Sequence, residues 1–583
     1  MTEVHREVVA TFDVDEAFEV PGLPELVRTC AATTTWIEGE PENRLLRATC
    51  YDTDDLALAR HGLGLRRRVG GGVGGGWHLT VPREGAAPSE VRLPPGRAGS
   101  PVPTPLRRMV RGRTLDRPLV PVVQVTTRRT VRRLLDADAR PVLELADDRV
   151  RARRAPPPGG SGEPAGPEVA WRELTIQALD GASALRDAAV TELGSRGLRP
   201  APRAPAVARV LGLAAADVPG AGRTPAGDGA RPVTPATSAE HAGPPGSAGW
   251  PEGSAAARPA ESAGRAAAAR PPGSAGSAAP AAPSAAPEGS AASVTLAYLR
   301  DQVEQVRAQD LLVRLEAPDS VHRMRVATRR LRSALGTHRT TFAREVVRPL
   351  VPELRWLAGA LGAVRDAEVM RERVAGSLQA QEVQADAPAA GGAHEHDLGA
   401  WDDAYGAARE ALLVELDGER YGRLLRSLVS LVTEPAVTEH GRRPARKVLR
   451  RGVAHEYSDV RRLVRRAAAV TGDAERAAAL HDARKAAKRA RYAAELASEV
   501  VGRPARAFAA AMESTQELLG RHQDSVVLRE RLRALAASAT DPRTAFEYGR
   551  LHALEEVRAQ EAEDRLPSVW REASRKRLRR WLR

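Results

Sequence analysis

At 583 residues the chain exceeds one ordinary domain, and length alone points to about two to four units, each large enough to bury its own core. Lys and Arg number 88 against 74 Asp and Glu, a formal charge of +14 with an isoelectric point near 10.5, so the natural partner is an anion: nucleic acid, an acidic membrane surface, or a phosphate-rich small molecule or polymer. The two cysteines, Cys30 and Cys50, sit in no metal-ligand or redox spacing, which excludes a disulfide framework and a structural zinc site, and aromatic residues at 3% leave little for a nucleic-acid surface built on base stacking.

The N-terminal stretch "MTEVHREVVATFDV" carries charges where a secretory signal needs an apolar core, and no run of about 18 apolar residues follows, so a soluble cytoplasmic protein is expected. Up to about residue 212, short segments alternate polar and apolar residues and are broken by Gly and Pro, the pattern of antiparallel strands. In "GWHLTVP", Trp77, Leu79 and Val81 share one face and His78 and Thr80 the other; in "WRELTIQAL", Leu174 and Ile176 oppose Glu173, Thr175 and Gln177. Such strands form either a sheet with its polar face in water or a barrel lined by that face. "VGGGVGGGW" lacks the Gly-Lys-Ser/Thr ending of a phosphate cradle and precedes a strand, as a hairpin loop does. Neither HExxH nor GxSxG occurs.

Residues 213–292 collapse into Ala, Gly, Pro and Ser, with almost nothing large to bury, and are expected to be a disordered linker. Beyond it, 293–583 runs in long Ala/Leu/Arg/Glu segments with few internal prolines, a helical pattern that also repeats itself. "VHRMRVATRRLRSAL" from Val321 matches "LHDARKAAKRARYAA" from Leu480, pairing His322 with His481, Arg325 with Arg484, Arg329 with Lys488 and Arg332 with Arg491. "LGAVRDAEVMRERV" then matches "LGRHQDSVVLRERL", aligning Asp366 with Asp524, and the His-to-Asp separations are 44 and 43 residues. Two matches at nearly equal spacing predict two related helical halves packed with pseudo-twofold symmetry.

Positions i, i+3, i+7 and i+10 of a helix form one stripe, so each half lines up a histidine and three cations, with Lys485 flanking the second row. Like charges at that spacing destabilise a helix by a few tenths of a kcal/mol per pair, roughly, and something must compensate. Carboxylates on neighbouring helices would do so for any one basic helix; duplication of the stripe favours a bound anion instead. Arg donates paired hydrogen bonds to phosphate and Lys supplies a mobile point charge. A row about 15 Å long suits an extended polyanion better than one phosphate group. The two histidines fit either a phosphate contact or a structural role at the bundle edge. The candidate polyphosphate-binding set is His322, Arg325, Arg329, Arg332, His481, Arg484, Lys485, Lys488 and Arg491. The basic segments "PARKVLRRG" and "DVRRLVRRA" either extend it or are surface charge.

The four repeated motifs, with "LRWLAGALGAVRDAEV" and "LLGRHQDSVVLRERL" among them, resemble the CHAD domain, and the resemblance covers roughly 293–583. It implies an α-helical bundle with a basic central groove that binds inorganic polyphosphate. In the N-terminal half, "YDTDDLALARHGLGLRRRV", "GWHLTVP", "TTRRTVRRLLD", "LELADDRV" and "WRELTIQAL" resemble, in order, the CYTH domain of triphosphate tunnel enzymes over about 3–212. That resemblance implies an eight-stranded antiparallel barrel whose interior Arg and Lys hold a triphosphate and whose Glu and Asp hold Mg²⁺ or Mn²⁺. The family's E-x-E-x-K strand is here Glu7, Val9 and Thr11; the lysine after "WHL" is Thr80; the second acidic strand is Glu173, Thr175 and Gln177; and Ala206 replaces a lysine near the domain's end. Remaining candidates are Arg66, Arg68, Arg92, Arg128 and Arg132 for triphosphate and Glu7, Glu144, Asp148 and Glu173 for metal, with Glu90 beside Arg92; no residue is singled out as catalytic. Each lost charge-assisted hydrogen bond removes about 1.5 to 3 kcal/mol.

The sequence therefore predicts a multidomain α+β protein: an antiparallel β-barrel at 3–212, the linker at 213–292 and an all-α bundle at 293–583. The expected function is inorganic polyphosphate binding in the cytoplasm, at polyphosphate granules by family resemblance, with no cofactor needed for binding and a degenerate barrel. The alternatives are a Mg- or Mn-dependent triphosphatase and, third, a nucleic-acid-binding helical protein, disfavoured by the scarce aromatics and the absence of a DNA-docking motif.

Overall fold

The computed structural model describes residues 3–5, 9–30, 36–69, 75–83, 86–97, 99–156, 166–179, 182–199, 206–213, 286–384 and 393–583. They fall into two compact units, Met1–Thr234 and Pro235–Arg583. Most of the predicted linker, and Glu7 with it, lies outside the described residues. The linker's expected end is corrected: a helix already begins at Ala291, because Ser290 caps it by accepting a hydrogen bond from the Ser293 N–H.

The first unit is one mixed-length antiparallel sheet with short helices. Its strands are β1 (Glu3–His5), β2 (Val9–Val14), β3 (Ile37–Glu38), β4 (Glu42–Asp52), β5 (Gly64–Val69), β6 (Gly76–Arg83), β7 (Ala86–Leu93), β8 (Val120–Leu135), β9 (Pro141–Arg154) and β10 (Val169–Ala178). The helices are α1 (Leu23–Leu26), α2 (Thr104–Met109), α3 (Arg111–Thr114), α4 (Ser183–Ser195) and α5 (Ala206–Leu211). Strand order is β1-β7-β6-β5-β4-β8-β9-β10-β2, with β3 joined to β8. The two edge strands are neighbours in the chain: four peptide steps join His5 to Val9, at most ~15 Å. Laid flat, nine strands would put those edges ~38 Å apart. The sheet therefore curls round on itself, as a barrel does.

Alternation decides which face turns inward. Phe12, Leu134, Leu143, Leu145, Leu174 and Ile176 lie on one face and are buried under Leu23 and Leu26 of α1 and Leu185, Ala189 and Leu193 of α4. Helices α1 and α4 cover this face on the outside, so the opposite, polar face lines the curl.

The second unit is all-α: α6 (Ala291–Arg314), α7 (Ser320–Thr337), α8 (Arg344–Gln384), α9 (Ala393–Asp417), α10 (Glu419–Thr433), α11 (Ala445–Ala469), α12 (Asp473–Val501), α13 (Arg503–Ser538) and α14 (Pro542–Ala573). Helices α6, α7 and α8 pack in sequence, as do α11, α12 and α13; across the halves α6 meets α11 and α7 meets α12. Like elements meeting like is the signature of a pseudo-twofold arrangement. The core around α12 is built of small residues: Ala483, Ala486, Ala487, Ala490, Ala494 and Ala497 are fully buried against Leu449, Val460, Phe508 and Met512. Alanine lets the helix backbones approach closely, which brings the longer side chains of α12 toward its neighbours. Among the described residues no helix is long and apolar enough to cross a membrane.

Close packing leaves no room for added methylenes. Ala490→Leu is expected to destabilise the protein by about 1 to 3 kcal/mol, read as a lowered urea midpoint with an unchanged m-value.

Candidate functional site

Helix α7 buries Val321, Met324, Ala327, Leu331, Ala334 and Leu335, and α12 buries the alanines named above. These apolar faces fix the rotation of each helix, and the basic stripes are thereby turned toward one another. Arg325 and Arg484, equivalent by the repeat, are 4% and 5% exposed. Arg329 and Lys488, also equivalent, are half-buried beside them. All four are close enough to perturb each other. Burial and then Arg329 push the Arg325 pKa down to about 10, still far above neutrality, so the guanidinium stays charged. Burial followed by Arg329, Arg484 and Arg325 holds the Lys488 ammonium well below the usual lysine range.

Two carboxylates accompany these four cations, Asp366 on α8 and Asp524 on α13. Burial pushes the Asp366 pKa up to about 7, against the opposing pull of Arg325 and with a further push from Asp524. Near pH 7 it is only about half ionised, so the cluster keeps a positive excess. Among the described residues Arg325, Arg329, Arg332 and Lys488 form no ion pair, and neither Arg325 Nε nor Asp366 Oδ1 has a hydrogen-bond partner. A cation removed from water without a partner is destabilised by several kcal/mol, roughly, and an anion seated between α7 and α12 would relieve this.

The remaining expected residues divide. Arg332 is half-buried, with its pKa lowered by burial, Arg329 and Arg355. His322 and His481 flank the cluster; burial and then Lys485 and Arg484 lower the His481 pKa, while a hydrogen bond to Gln523 opposes them. Lys485 points away, 57% exposed and paired with Asp482 at 3.3 Å. Arg491 is already engaged by Glu495 at 2.8 Å and Glu513 at 2.7 Å. At the equivalent positions the first half has Gly336 and Arg355. The predicted symmetry of the two rows is therefore corrected at this end: Arg332 lies open to an anion and Arg491 is neutralised.

Four contributors were not among the expected site residues. Asp366 and Asp524 were visible as repeat markers, yet only packing shows them beside the cations. Gly520 lies against the Arg484 guanidinium, where a Cβ would stand 3.4 Å from Nε, so a larger residue there would push the arginine. Arg355 lies a full helix away from the stripe and joins it through α7–α8 packing.

In the sheet unit, the register places Arg66, Arg68, Glu90, Arg92, Glu144, Asp148 and Glu173 on the inward polar face. Arg128 and Arg132 are a correction: they share the other face with Leu134, Leu143 and Leu145, and Arg132 pairs with Glu38. The inward arginines of β8 are Arg129 and Arg133. Because "TTRRTVRR" presents arginine at both parities, period-two alternation could not choose between them.

The inward charges neutralise each other. Glu90 accepts hydrogen bonds from Arg66 at 2.9 Å and Arg92 at 2.8 Å. Burial raises the Glu90 pKa, but His78, Arg66 and Arg92 outweigh it and hold the carboxyl well below the usual range. Asp148 takes both arms of Arg129, Glu144 pairs with Arg133, and Glu173 accepts from the Trp171 indole. Among the described residues no group of three or more His, Cys, Asp or Glu is arranged to hold a metal ion, so Glu144, Asp148 and Glu173 do not fit the divalent cation that the CYTH resemblance implies. Helix α5 lies against the same inward face, with Val207 on Cys50, Val123 and Ala152, and Arg209 paired to Asp13.

The comparisons agree with the division of the chain. Residues 297–533 match the CHAD domain family model. Uncharacterized proteins from two strains of Mycobacterium tuberculosis are 30% identical over 579 residues, spanning 97% of this chain and 96% of theirs. The chain belongs to the family of these full-length mycobacterial relatives, and 297–533 is its CHAD domain. Among solved structures, the CHAD domain from the plant Ricinus communis is 27% identical, covering 51% of this chain and 96% of its own, with a TM-score of 0.39. PptA from Streptomyces chartreusis is 20% identical, covering 48% of this chain and 99% of its own, with a TM-score of 0.41.

If paired carboxylates are what occupy the inward arginines, removing one should free them. Glu90→Gln is expected to raise tripolyphosphate affinity about fivefold or more by releasing Arg66 and Arg92, measured by calorimetric titration without added metal.

Proposed function

We propose that the protein binds inorganic polyphosphate in a basic groove between α7 and α12. The observation that carries this reading is the cluster of Arg325, Arg329, Arg484 and Lys488, partly or wholly desolvated and accompanied among the described residues by the carboxylates of Asp366 and Asp524. Alternating phosphates along a chain suit a row of donors on two facing helices, because each phosphate can be met from either wall. The family resemblance read from the motifs points to the same ligand, and membership in a CHAD-containing family supports it. In this reading the N-terminal unit is a CYTH-like barrel that no longer acts as a tunnel enzyme: its inward arginines are taken by carboxylates and its metal set is incomplete. Binding needs no cofactor, and the protein acts in the cytoplasm, at polyphosphate granules. Nucleic acid is a poorer fit, since aromatic residues make up only 3% of the chain.

Arg325→Ala with Arg484→Ala is expected to weaken polyphosphate binding by about a hundredfold or more, from two charge-assisted contacts of about 1.5 to 3 kcal/mol each. An unchanged affinity, measured across salt concentrations, removes the groove as the site. Duplex DNA that outcompetes polyphosphate at equal salt would replace the ligand.

The pH dependence has a fixed sign. Below pH 7 Asp366 is protonated and neutral; above it, ionisation adds a negative charge to the groove. Affinity should fall as pH rises from about 6 to 8 at constant ionic strength, and Asp366→Asn should flatten the part of that fall centred near 7.

A further inference from the structure

A second cationic cavity lies at the C-terminal end of α7, where it meets α11. It has a volume of about 220 Å³ and shares no lining residue with the groove. That is below the roughly 300 to 1,000 Å³ of pockets for drug-sized ligands, and suits an ion with some of its water. Three histidines, His338, His440 and His455, and three cations, Arg443, Lys447 and Arg451, line it, with no carboxylate among the lining residues. Lys447, Arg451 and His455 fall at i, i+4 and i+8 of α11, so one helix face supplies half of the set.

Two features make this a built site. Among the described residues Arg443, Lys447 and Arg451 form no ion pair, so the three positive charges around the cavity have no carboxylate against them. His338 is 3% exposed and its Nε2 has no hydrogen-bond partner among the described residues. Gly452 holds the ring in place, for a Cβ there would stand 2.7 Å from His338 Cε1. The nearby carboxylate of Glu456 is occupied by the Thr337 hydroxyl at 3.0 Å and Arg489 at 2.8 Å.

We propose that this cavity is a second anion site that takes a single phosphate-class oxyanion, supplied either as free inorganic phosphate or as the terminal phosphoryl group of a phosphate chain. Arg443, Lys447 and Arg451 provide the charge, and the buried His338 ring forms part of the wall beside them. The test is calorimetric titration of the full chain with inorganic phosphate and, separately, with polyphosphate whose ends are free or capped. Lys447→Ala with Arg451→Ala, both exposed positions, is expected to weaken inorganic phosphate binding about tenfold or more. The same variant should keep its affinity for end-capped polyphosphate and its circular dichroism. Arg325→Ala with Arg484→Ala should do the reverse. Phosphate binding unchanged in the Lys447/Arg451 variant overturns the proposal, as does a wild-type protein that neither binds phosphate nor distinguishes free from capped ends. If phosphate binds, a capping penalty that the wild type shows and the variant lacks assigns the site to chain ends, and equal affinities assign it to free phosphate.

Discussion

The helical unit is organised around a set of positive charges held out of water with too little negative charge beside them. Arg325 and Arg484 are almost wholly buried, and the ionisation of Asp366, which falls near neutrality, is itself suppressed by burial. Desolvation acts on both signs here, weakening the internal counter-charge while leaving guanidinium groups ionised. Everything else in the bundle serves that arrangement. The alanines of α12 allow close approach, the apolar residues of α7 set its rotation, and Gly520 leaves space for the Arg484 head group.

The duplication that builds the groove is not perfect, and the departures have direction. Glu495 and Glu513 neutralise Arg491, whereas Gly336 and Arg355 leave Arg332 exposed to like charge. Glu495 also reaches across to Arg330 of the first half at 3.3 Å. One end of the pseudo-twofold site is thus closed by carboxylates and the other is more basic, so a bound polyanion meets unequal ends.

The sheet unit shows the opposite solution with the same residue types. Its inward face is rich in arginine, yet Glu90, Asp148 and Glu144 stand in register beside Arg66, Arg92, Arg129 and Arg133 and neutralise them. Cross-strand neighbours are close enough for such pairing to be satisfied internally. In the groove, the cations sit on two helices whose nearest acidic residues are few, and pairing cannot be completed. Arginine-rich faces therefore produce a self-contained lattice in one unit and an unsatisfied field in the other.

Much of this was legible in the chain itself. The 3.6-residue spacing fixed which cations share a helix face, the internal repeat paired His322 with His481 and Arg325 with Arg484, and two-residue alternation separated Glu173 from Leu174, because each depends only on local geometry. Alternation failed at "TTRRTVRR", where both parities carry arginine and only inter-strand register selects Arg129 and Arg133 over Arg128 and Arg132. Sequence likewise could not show that Arg491 is occupied, that Asp366 and Asp524 sit beside the basic rows, or that His338 and Lys447 close one cavity. Those facts join segments far apart in the chain, and charge pairing and desolvation are set by distances that only tertiary packing decides.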